Sequence, residues 1–104
     1  MEKEAEQEKA EAELQKWRAR LSEMEVTDSE LLAEAKRKHQ EYRQQLHHQI
    51  IKAAHAVETL RVVGEDARED ARIHLQYLWE ALEDTWAFWT SLRKNERATF
   101  GSEF

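Results

Sequence analysis

The chain has 104 residues, of which 37% are charged and 40% hydrophobic, with a formal net charge of −6, a mean hydropathy of −0.93, no cysteine and no proline. One domain of that size and polarity cannot fill a thick globular core, but it can line a narrow seam between helices, where about two positions in seven need to be apolar. The acidic balance argues against a nucleic-acid partner, the lack of cysteine excludes disulfides and thiolate metal sites, and no apolar run approaches the ~20 residues of a membrane span. With no apolar signal core near Met1, a cytoplasmic origin without membrane insertion is the expectation.

Helix breakers are nearly absent, the only glycines being Gly64 and Gly101, while Ala, Leu, Glu, Gln, Lys and Arg dominate. No Val/Ile/Thr-rich alternation bounded by turn residues marks a strand, so the class expected is all-α. The first helix is predicted over about 5–25. Its apolar positions Ala10, Leu14, Trp17, Leu21 and Met24 are spaced 4, 3, 4, 3, the rhythm of a coiled-coil seam.

A turn is predicted next, because Thr27 with Glu30 three residues later reads as a capping box and Val26 with Leu31 as its hydrophobic staple. The second helix is then expected over 28–63, with a seam of Leu32, Ala35, His39, Tyr42, Leu46, Gln49, Ala53, Ala56, Leu60 and Val63, widened by Ile50 and Val57. A helix of that length spans roughly 50 Å, which makes the molecule a rod. Gly64 offers a left-handed helix end, and Asp66 with Glu69 a second capping pair opening a third helix over 66–93. That helix carries Ala71, Leu75, Leu78, Leu82, Thr85, Trp89 and Leu92, with Trp79, Trp86 and Phe88 alongside. Short connections force antiparallel neighbours, so residues 1–100 are predicted to form one up-down-up, three-helix antiparallel coiled-coil bundle. Residues 101–104, Gly-Ser-Glu-Phe, match residue pairs left by two common cloning sites and are expected to be a vector-derived tail.

Glu13-Leu14-Gln15-Lys16-Trp17 in the first helix, Leu31-Leu32, Lys38-His39-Gln40, Tyr42 and Leu46 in the second, and Leu75, Leu78/Trp79, Leu82, Trp86 and Trp89 in the third resemble the pattern of the spectrin repeat, the module of spectrins, α-actinin, dystrophin, plakins and nesprins. The resemblance covers residues 10–92. It departs from the family in a shortened stretch between Gly64 and Trp86, and in tryptophan at 79 and 89 where leucine is common. It implies a structural spacer or scaffold that mediates protein–protein interaction and associates with the cytoskeleton.

The five histidines, His39, His47, His48, His55 and His74, include no pair at i, i+3 or i, i+4, so no metal site and no cofactor is expected. His39 is expected in the seam with a hydrogen bond. Without a glycine-rich phosphate loop, an activated nucleophile or a readable carboxylate pair, no catalytic residue is assigned and an enzyme is not expected. Trp17 and Trp86 are read as core anchors. Trp79, Phe88 and Trp89 are the candidate protein interface, since the aromatics of the third helix exceed what three helices can cover. Two alternatives stay open: a natural or designed binding module presenting a helix face or the Trp79/Trp86/Phe88/Trp89 cluster, and a bundle that self-associates, the monomer being favoured over a dimer. Leu60-Arg61-Val62-Val63-Gly64-Glu65 also resembles the Leu-x-x-x-Gly-Asp core of death-promoting helices, with glutamate for aspartate.

Overall fold

The computed structural model describes the backbone of residues 2–102 and the side-chain surroundings of residues 2–95. Three helices account for it: α1 (Glu2–Ser29), α2 (Ala33–Val62) and α3 (Glu65–Ser102), with no strand among the described residues. The vector-tail expectation falls partly outside this range, at Glu103 and Phe104. Arg68 of α3 reaches Glu6 of α1, and Trp89 of α3 reaches Asp28 of α1, so α3 runs parallel to α1 and antiparallel to α2. The result is the predicted up-down-up bundle, a rod of 59 × 19 × 19 Å.

The heptad positions close the seam. Ala10, Leu14, Trp17 and Met24 from α1 pack with Leu46, Ile50, Ala53, Ala56, Val57 and Leu60 from α2 and Leu75, Leu82 and Trp89 from α3. Leu21, Tyr42, Ala71, Leu78, Trp79 and Trp86 flank this core as partly buried groups. Burying each large side chain contributes about 1.5–3 kcal/mol, which is how so polar a chain offsets the entropy of ordering it.

Both connections differ in detail from the sequence expectation. The capping box does not form: α1 continues through Thr27 to Ser29, and its last turn closes with Glu30 N–H donating to Thr27 O at 3.3 Å and Leu31 N–H to Asp28 O at 3.1 Å. Val26 is exposed, so the staple is absent as well. The N-cap of α2 is Leu32, extended at φ −68°, ψ 155° and without a side-chain cap. Leu32 therefore lies before the helix and out of register with its seam, 76% exposed rather than buried. A cap contributes about 1 kcal/mol. Extending α1 instead places Asp28 in the seam, where it gains several polar partners.

The second turn falls where Gly64 predicts it, but not for the predicted reason. Val63 is extended at φ −73°, ψ 150°, and no described glycine has a positive φ. Gly64 caps the start of α3 rather than the end of α2, its carbonyl accepting Ala67 N–H at 3.2 Å. Helix α3 thus opens at Glu65, ahead of Asp66, with two acids in the first turn where they complement the helix dipole.

Candidate functional site

Extending the α1 rhythm of 4, 3, 4, 3 by one further step of four from Met24 gives Asp28, a polar residue at a seam position. It is 1% exposed. His39, one and a half turns into α2, is buried opposite it, with Nδ1 2.8 Å from Asp28 Oδ1. A carboxylate only accepts, so this ring nitrogen bears the proton. Trp89 of α3 donates its indole N–H to the same oxygen at 3.2 Å. Arg43, one turn beyond His39, brings Nε to 2.9 Å from Oδ2, an ion pair whose N–H is poorly aligned for a hydrogen bond. One carboxylate of α1 is thereby tied to both other helices.

An aromatic stack extends the site along the seam. The rings of His39 and Trp89 meet edge to face at 6.3 Å, Trp89 and Trp86 lie tilted at 5.0 Å, and Trp86 meets Trp17 edge to face at 6.3 Å. Such pairs contribute about 0.5–1.5 kcal/mol beyond their burial. Arg20 lies over both Trp17 (4.5 Å) and Trp86 (5.1 Å) while its guanidinium approaches Glu83 at 3.5 Å, and Arg93 covers Trp89 at 4.9 Å. Midway along the bundle, Thr85 and Gln49 add a partly buried polar link between α3 and α2, 2.8 Å long.

The three residues predicted as an interface are separated by this packing. Trp89 is not available to a partner: it is buried, because its indole N–H is the α3 member of the Asp28 cluster. Trp79 is half-buried and lines an open groove between α1 and α3 with Glu13, Arg72 and Leu75. Phe88, 61% exposed, alone faces solvent. Trp17 is fully buried as an anchor, and Trp86 is a partly buried flank of the core. His39 sits in the seam with its expected hydrogen bond. The feature missed in the sequence is Asp28. The capping-box reading assigned it to a helix start, although its spacing from Met24 continues the seam.

At the opposite end of the rod Glu6 is flanked by Arg68, 2.9 Å away, and by Arg72, which also pairs with Glu69 at 3.0 Å. The hydrogen bond from Arg72 holds the Glu6 carboxyl below its ordinary value of 4.5; partial burial opposes the shift, and Arg68 reinforces it. Arg68 further donates to Lys3 O at 3.4 Å.

The Leu60–Glu65 segment does not form a groove-docking helix face. Helix α2 ends at Val62, so Gly64 and Glu65 leave the helical register, and Leu60 is already buried in the bundle. Among the described residues no group of three or more His, Cys, Asp or Glu is placed to hold a metal ion, and no helix is long and apolar enough to cross a membrane. No protein-family model matches the chain, and neither a curated protein nor a solved structure matches it significantly.

Proposed function

We propose that the chain is a spectrin-like structural spacer, a stiff rod that sets the separation of whatever is joined to its ends and offers its outer faces to protein partners. The observation that carries this reading is geometric: the helices form a rod of 59 Å whose chain enters at one end and leaves at the other, because α3 runs parallel to α1. The polar ties at both ends add to it, since each fixes α3 against α1 and resists sliding of the helices. Of the residues that suggested the spectrin repeat, Trp17, His39, Leu46 and Leu82 are fully buried, whereas Leu32 is exposed. In this reading the Asp28 carboxylate, with both oxygens already engaged, serves architecture rather than catalysis.

The test places the chain between two reporter domains and reads their separation by pulsed electron spin resonance. Mean distance alone does not discriminate: an unstructured linker of this length has a root-mean-square span of about 55 Å, close to that of the rod. The width of the distribution does. A spacer gives one narrow peak that moves out when a second copy is inserted in tandem. A broad distribution growing only as the square root of length would sink the reading.

A further inference from the structure

We propose that the outward face of α3 between Asp70 and Phe88 is a docking surface for a cationic amphipathic helix of another protein. The inference rests on the reading above that the rod offers its faces to partners, and it names which face and what chemistry. Ile73, Tyr77 and Phe88 are 48%, 66% and 61% exposed. At about 100° per residue they fall within a sector of about 60°, on the side of α3 away from buried Leu75, Leu82 and Trp89. Along the axis they span about 22 Å, four helical turns. Large apolar groups aligned on one outer face mark an interaction surface more strongly than singly scattered ones.

Charge decides the occupant. Asp70, Glu80 and Asp84 are exposed within or beside the same sector, and no Lys or Arg occurs between Ile73 and Leu92. The nearest cations of α3 toward its start, Arg68 and Arg72, are engaged by Glu6. A partner that buries the three apolar side chains therefore meets the Asp84 carboxylate between Tyr77 and Phe88 and those of Asp70 and Glu80 at its margins, and Lys or Arg within and beside its own apolar stripe satisfies them. A second copy using the same face would set carboxylates against carboxylates. Nucleic acid or an anionic bilayer would be repelled for the same reason. A helix suits the straight, four-turn outline of the patch.

The probe is a labelled synthetic 18-residue peptide with leucines on one helical stripe and lysines on either side; its control carries glutamate in place of every lysine. Fluorescence anisotropy is read against the whole chain. We expect micromolar binding of the lysine peptide, weakening with salt, and none of the glutamate peptide. Tyr77→Ala with Phe88→Ala, and separately Asp84→Lys, should each weaken binding at least tenfold while the helical circular dichroism and thermal midpoint are retained. Failure of the lysine peptide to bind, or equal binding to the variants, overturns the proposal. So does a concentration-dependent increase in mass by light scattering that Phe88→Ala abolishes, because the occupant is then a second copy. A lost docking site with a narrow interdomain distance leaves the spacer reading intact. A broad distance with retained peptide binding fails the spacer and not the face.

Discussion

At each end of α1 a carboxylate meets a guanidinium of another helix, and the two ends use that pairing under different conditions. Asp28 is buried, hydrogen-bonded by His39 of α2 and Trp89 of α3 and ion-paired with Arg43 of α2. Glu6 keeps about a quarter of its side chain in water and pairs with Arg68 and Arg72 of α3. Coulomb attraction is stronger where water is excluded, but so is the penalty for leaving a member unpaired. The buried end therefore specifies one arrangement of three helices, whereas the exposed end only reinforces it. Asp28 also lies in the last turn of α1, where the helix dipole disfavours an anion and no basic residue of α1 compensates. Cations and donors from the other helices must supply the compensation, which makes the site a check on correct assembly.

That contrast is open to direct attack, beginning with the change expected to cost most. Asp28→Ala removes at once the acceptor of the His39 Nδ1–H, the acceptor of the Trp89 indole N–H and the counter-ion of Arg43. It should lower unfolding free energy by about 3–5 kcal/mol in a urea titration, a large part of the 5–15 kcal/mol typical of a domain. A loss below 1 kcal/mol would mean that the cluster does not govern assembly. Trp89→Phe keeps most of the ring packing and removes the N–H donor. Its expected cost is about 1–2 kcal/mol, and in a double-mutant cycle with Asp28→Ala the two losses should fail to add.

At the exposed end, Glu6→Gln should cost no more than about 1 kcal/mol near neutral pH. Because folding lowers the Glu6 pKa, its contribution is complete above the ordinary value of 4.5 and is lost as pH falls through the lowered value. Thermal melts of wild type and Glu6→Gln should thus differ by a constant amount from pH 6 to 8 and converge in acid. A difference that grows in acid would reverse the assignment. The smallest effect belongs to Gly64→Ala. A Cβ there meets nothing within 4 Å and the backbone has no positive φ, so the substitution should be neutral or stabilise by up to about 1 kcal/mol through the unfolded chain. Marked destabilisation would show that the turn needs glycine after all.

Much of the architecture was legible before any coordinates. The spacing of Ala10, Leu14, Trp17 and Met24, and of Leu46, Ala53 and Leu60, names the buried faces because a helix repeats every 3.6 residues whatever surrounds it. The break at Gly64 and the rod shape follow from the scarcity of breakers. What the sequence left undecided was which local signal prevails when two compete. Thr27 and Glu30 spell a helix start, and Asp28 four residues after Met24 spells a seam. Only the packed partners His39, Arg43 and Trp89 decide for the seam, since two hydrogen bonds and an ion pair together exceed what a single cap supplies. The same holds for the aromatic residues of α3. Periodicity places Phe88 and Trp89 side by side in the chain, but a 100° step sends one to water and the other to a buried carboxylate on a helix 61 residues away. Local propensity acts within a few residues and determined the helices; burial and charge pairing act between helices distant in sequence, and only the assembled bundle could decide them.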